Sequence, residues 1–124
     1  MTKLRARNLR ERAFEYSLNA IELFRQIQGL RDESARILGK QFLRSATSIG
    51  ANIEEAQSAE SCADFIHKYT IAQKEARESL YWLRLLEKIT ILPDNRIPDL
   101  LTETNETVSI ITSIIVNTKQ NNQQ

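Results

Sequence analysis

Few residues in this chain have the chemistry of a catalytic or metal site. The single histidine, His67, stands between Ile66 and Lys68. A metal site on a helix needs further ligands three or four positions away. Thr70 and Ile71 cannot serve, Asp64 is the one carboxylate at that spacing, and no Glu-x-x-His pattern of the di-iron bundles occurs. His67 therefore reads as a surface histidine. The single cysteine, Cys62, falls at a helix start, where the dipole can lower a thiol pKa. No histidine or asparagine stands near it in sequence to make it a nucleophile, so it reads as a packed residue. Glu54, Glu55 and Glu60 could pass for acid–base carboxylates. Neighbours on a helix point in different directions, so Glu54 and Glu55 read instead as partners for basic residues of an adjacent helix. No glycine-rich phosphate loop or dinucleotide fingerprint is present. The expectation is a protein without catalytic residues, metal or cofactor.

Two basic features have the spacing to meet phosphates. One is the N-terminal run Lys3, Arg5, Arg7, Arg10 and Arg12, opposed only by Glu11. The other is Lys74, Arg77, Tyr81, Arg84 and Lys88, at three- and four-residue steps and hence on one face of a helix. Cations interleaved with an aromatic suit RNA or DNA. Glu75, Glu78 and Glu87 flank this row, and mixed charge is also what a solvated bundle surface carries.

The elements that position these groups follow from pattern. The chain has 124 residues, 41% hydrophobic and 27% charged, with three glycines and two prolines. One domain of a few long helices fits so little turn chemistry. Seventeen basic against sixteen acidic residues leave +1, so whole-chain charge does not itself argue for nucleic acid. One cysteine excludes an internal disulfide. No apolar run reaches the roughly 20 residues of a membrane span, and no signal peptide is legible; a cytoplasmic location is expected.

Four helices are predicted, over about 2–28, 33–57, 61–90 and 96–118, with 119–124 frayed. In the first, Leu9, Ala13, Tyr16, Ala20, Leu23, Ile27 and Leu30 recur at alternating steps of four and three, with Phe14, Ile21 and Phe24 beside them. Gly29 is placed to end it in a left-handed conformation, and Asp32 or Ser34 to cap the next. The second has Ala35, Leu38, Phe42, Ala46, Ile49, Ile53 and Ala56 inward. The third has Phe65, Tyr69, Ala72, Ala76, Leu80, Leu83 and either Leu86 or Glu87 inward. A Ser61–Asp64 capping box opens it, and Asp64 with Lys68 forms a surface pair. The fourth begins between Asn95 and Pro98 and has Ile97, Leu101, Thr104, Val108, Ile111, Ile115 and Thr118 inward, with a second row, Leu100, Ile110 and Ile114, alongside. Thr107–Thr118 is rich in β-branched residues, but its period is helical. Short connections fold such helices into an antiparallel up-down-up-down four-helix bundle.

Two features set this bundle apart. Around Arg44–Glu55, the small residues Ser45, Ala46, Ser48, Gly50 and Ala51, with Ile49 and Ile53, predict a close helix–helix approach; a kink at Gly50 is the competing reading. Asn52 in the same stretch is either exposed or a buried register-fixing amide. Trp82, Leu85 and Ile89 lie beside the inner row of the third helix, more apolar surface than one intrachain seam consumes, and predict contact with another subunit.

Arg44–Glu55, then Ala63-Asp64-Phe65-Ile66-His67-Lys68, then Ile71-Ala72-Gln73-Lys74-Glu75-Ala76-Arg77-Glu78, resemble the bacterial 23S rRNA-intervening-sequence proteins. Tyr81-Trp82-Leu83-Arg84-Leu85-Leu86 resembles one branch of them. The likeness is strong over Phe42–Glu87, and the helix order extends it to nearly the whole chain. It implies an antiparallel four-helix bundle assembling as a ring, typically a homopentamer, and brings no catalytic residues. One relative, the accessory protein of diversity-generating retroelements, is strongly basic and binds nucleic acid and a reverse transcriptase; this chain is close to neutral.

Overall fold

A computed structural model describes the backbone of residues 2–122 and the side chains of residues 9–122. Four α-helices account for most of the chain: α1 (Thr2–Gln28), α2 (Glu33–Ala56), α3 (Cys62–Ile89) and α4 (Arg96–Asn122). Each has 24 to 28 residues, so each is about 36–42 Å long, and rods of matched length can share one core along their whole extent. Helix packs on helix in the cyclic order α1, α2, α3, α4, and no diagonal pair comes into backbone contact among the described residues.

Lateral contacts fix the directions. Arg10 reaches Glu54, whereas Ile27 lies against Gly39, so α1 and α2 run oppositely. Ser45 meets Ser79 and Glu55 meets Lys68, so α2 and α3 do too. Arg12 meets Glu103 while Gln26 meets Arg96, which makes α1 and α4 antiparallel. The α3–α4 pair, tied by Gln73 and Thr112 at 2.7 Å, must then be antiparallel as well. The topology is up-down-up-down.

The core is the apolar stripe of each helix turned inward. Leu9, Ala13, Tyr16, Ala20, Leu23 and Ile27 of α1 are buried, as predicted. Across its middle lie two buried hydroxyl pairs, to which all four helices contribute. Ser45 Oγ and Ser79 Oγ are 2.8 Å apart, and Tyr16 Oη and Thr104 Oγ1 are 2.6 Å apart. Ser79 also acts on the Tyr16 phenol, which burial pushes up to about 12 against the lowering pull of Thr104 and Ser79. Spare hydrogens have acceptors, since Ser45 Oγ lies 3.1 Å from Phe42 O and Thr104 Oγ1 2.6 Å from Leu100 O. Buried polar pairs satisfied in this way disfavour sliding of one helix past another, because a shift by one turn would strand their members. By contrast, the Tyr69 hydroxyl is buried with no hydrogen-bond partner among the described side chains; its ring stacks on Phe65 at 4.5 Å.

Several expectations are corrected. The helix α4 continues to Asn122 rather than fraying after residue 118. Gly29 closes α1 without a positive φ, its N–H shared between Arg25 O and Gln26 O. Asp32, not Ser34, caps α2, accepting from Ala35 N at 3.1 Å. Ser61 accepts from Asp64 N as the capping box requires. Asp64 in turn accepts from Glu60 N, while Lys68 pairs with Glu55 across the seam instead of with Asp64. On α3, Ser79 is buried and Leu80 only partly so, and Leu86 rather than Glu87 faces inward. On α4, Leu100, Thr107 and Ile114 join the core while Leu101 and Val108 move to its edge. Phe14 is 65% exposed. The helix α2 runs unbroken through Gly50.

Candidate functional site

The small-residue stretch of α2 sits at the bundle centre. Ser45, Ala46, Ile49 and Ile53 are buried. A methyl group placed on Gly50 would lie 3.5 Å from both the Cβ and the carbonyl oxygen of Ala13, so α1 passes close there, with room for one carbon. The tighter glycine is Gly39, where the same carbon would come within 3.1 Å of Ile27 Cγ2. Asn52 is half-buried, and its amide donates to Ser48 O one turn back on its own helix at 2.8 Å. It does not cross to a neighbour. The interhelical polar pairing falls instead to Ser45, Ser79, Tyr16 and Thr104.

The two basic features differ in what surrounds them. Arg10 holds Glu54 through Nε at 3.0 Å and Nη2 at 3.1 Å. The pair raises the arginine pKa and holds the Glu54 carboxyl below the usual range. Arg12 forks onto Glu103 at 2.8 and 2.9 Å and reaches Glu106 at 2.5 Å; those hydrogen bonds raise its pKa. Both cations are thus neutralised within the chain. The side chains of Arg5 and Arg7 lie outside the described residues.

Lys74, Arg77, Arg84 and Lys88 on α3 are exposed, and none forms an ion pair among the described residues. The acids of the same helix explain this. Glu75 and Glu78 turn to α2, where both meet Arg44. Burial works to raise the Glu78 pKa, but hydrogen bonds from Trp82 and Arg44 hold it below the usual range. The acids of α4 turn the other way. Glu103 and Glu106 grip Arg12, and Asp99 lines the cleft between α1 and α4. The outer α3 row is left with an excess of positive charge, beside the exposed Glu87, which no cation of another helix draws away among the described residues. Tyr81, 55% exposed, stands within that row, its ring edge-on to Trp82 at 5.3 Å.

Directly beside this row, at the same helix end, Trp82 and Leu85 are half-buried and Ile89 is 43% exposed. Ile91, in the connection to α4, is 98% exposed. Trp82, Leu85 and Ile89 are the residues read from the widening of the α3 stripe; Ile91 is not among them. His67 is exposed and Cys62 half-covered. Among the described residues no group of three His, Cys, Asp or Glu side chains could hold a metal ion, and no helix is long and apolar enough to cross a membrane.

Sequence reasoning missed the cleft of about 810 Å³ between α1 and α4, whose lining includes Glu11, Glu15, Asn19, Asp94 and Asp99. It also missed the Arg12 fork. The signal for both was Glu103 and Glu106 at three-residue spacing on α4, which makes sense only once α1 is known to lie beside them.

Comparison with known proteins places this architecture. The model of the family described as 23S rRNA-intervening sequence protein matches residues 8–113. The chain belongs to this family. A solved family structure is similar throughout: a protein of unknown function from the S23 ribosomal protein family of Bacteroides thetaiotaomicron, 34% identical. The match covers 90% of this chain and 97% of that one, with a TM-score of 0.80. No curated protein matches. Membership of the 23S rRNA-intervening sequence proteins therefore supports the four-helix bundle.

Proposed function

We propose that this protein is a non-enzymatic helical bundle that assembles with copies of itself, as a homopentamer by the family resemblance, and serves as an oligomeric scaffold or adaptor. The observation carrying this reading is the apolar flank of Trp82, Leu85 and Ile89, with Ile91 beyond it, of which the chain's own helices cover Trp82 and Leu85 only in part and leave Ile89 and Ile91 exposed. Contiguous apolar surface of this kind marks a contact site. Light scattering on the purified full-length chain tests it: a species several times the 14.3 kDa chain mass is expected, and a strict monomer at micromolar concentration would remove the reading.

A second reading is favoured by a separate observation. The unpaired row Lys74, Arg77, Arg84 and Lys88 suits a polyanion, and RNA or DNA is the ligand we propose for it. Arg10 and Arg12, held by their own carboxylates, contribute little to such binding. Retention on immobilised heparin that falls steeply with salt would support it.

A further inference from the structure

We infer that the nucleic acid bound along α3 is single-stranded, with Tyr81 as the platform on which one base stacks. This rests on the polyanion reading of the same row and specifies its ligand.

Three observations carry it. First, the cations form one row. Lys74 to Lys88 spans fourteen residues, hence about 21 Å along the helix. The carboxylates Glu75 and Glu78 are drawn to Arg44 on one side, and Glu103 and Glu106 to Arg12 beyond α4, which leaves Glu87 as the exposed acid beside four cations. A single row matches one backbone. Second, the row is not purely cationic. Tyr81 sits midway, between Arg77 and Arg84, with more than half its surface free. An exposed aromatic amid cations adds nothing to binding a duplex whose bases are already stacked, whereas an unpaired base can lie on it. Third, the phenol is braced by Trp82, edge-on at an interplanar angle of 65°. Trp82 is itself fixed by donating to Glu78 Oε1 at 3.2 Å. The indole holds the platform in place from the side, so less freedom is lost when a base settles on it.

Fluorescence anisotropy of the full-length protein tests this with three labelled probes: an oligothymidylate of about 15 nucleotides, a mixed duplex of the same length, and heparin as a polyanion without bases. At about 50 mM salt the oligothymidylate should bind more tightly than the duplex. Tyr81→Ala should weaken oligothymidylate binding roughly tenfold and leave heparin binding unchanged, and Tyr81→Phe should behave as the wild type. Arg77→Gln with Arg84→Gln should weaken all three, with unchanged helicity by circular dichroism. Duplex binding equal to or tighter than single-strand binding, or an oligothymidylate affinity indifferent to Tyr81→Ala, overturns the single-strand assignment and leaves the polyanion reading standing. Failure of all three probes to bind overturns both.

Discussion

The hydroxyls of Tyr16 on α1 and Thr104 on α4 meet 2.6 Å apart in the middle of an otherwise apolar core. A second buried pair, Ser45 and Ser79, joins α2 to α3 at 2.8 Å. Close packing sets how near the helices lie; these hydroxyl pairs set their register along one another.

Removing one member should therefore be mild, and removing two should cost less than the sum. Tyr16→Phe is expected to cost about 1 kcal/mol and Thr104→Val about the same, since each leaves a buried hydroxyl short of a partner. The double variant, with neither group stranded, should cost less than the two together. Urea unfolding at one fixed chain concentration measures all three. Strict additivity would mean that the hydroxyls do not act together.

Alkaline pH should expose the same residue. The Tyr16 phenol titrates near 10 when solvated and about 12 in the fold, chiefly because of burial. Folding therefore favours the neutral phenol. Its contribution is whole below about pH 10 and is lost as pH rises through about 12, amounting to roughly 2–3 kcal/mol. Burial raises the Tyr69 phenol as well, so the wild type should lose stability across this window and Tyr16→Phe should lose distinctly less. Equal slopes for the two proteins between pH 9 and pH 12 would contradict this.

The two helix-interior glycines of α2 should respond oppositely to alanine. At Gly50 the added carbon meets Ala13 at ordinary contact distance, so Gly50→Ala should stabilise by about 0.5–1 kcal/mol through helix propensity. At Gly39 the carbon crowds Ile27, so Gly39→Ala should gain nothing or lose stability. Thermal unfolding of both variants decides it.

Arg12→Gln should loosen α4 from α1. The side chain is partly covered and bonds two carboxylates, so a loss of about 1 kcal/mol is expected at low salt, shrinking as salt is added. Arg10→Gln, at a more exposed pair, should lose less. An equal loss at both positions would show that coverage does not govern these pairs.

Ile89→Glu should separate assembly from folding. The side chain is nearly half exposed within the single chain, so helicity should be preserved while the mass by light scattering falls toward one chain. Unchanged mass would place the contact between copies elsewhere.

Period alone made most of this architecture legible. In α1 the four-three alternation was uninterrupted, and every residue it nominated from Leu9 to Ile27 is buried. In α4, threonines and isoleucines alternate so closely that two neighbouring rows look equally apolar. The inward row was decided by what faces it, with Thr104 turned to Tyr16 and Thr107 buried with its hydroxyl bonded to Glu103 O. Ser79 was invisible for a related reason: a serine in an apolar row reads as polar until its partner, thirty-four residues earlier, is known. The basic row on α3 was legible as spacing. Its lack of counter-ions was not, because that depends on where Arg44 and Arg12 draw the carboxylates.

The division of carboxylates between seams means that a formal sum of +1 describes no particular side of the molecule. One long edge, around Glu11, Glu15 and Asp99, is anionic, and another, from Lys74 to Lys88, is cationic. At neutral pH and low salt the protein should adhere to both anion- and cation-exchange resins, turning a different edge to each.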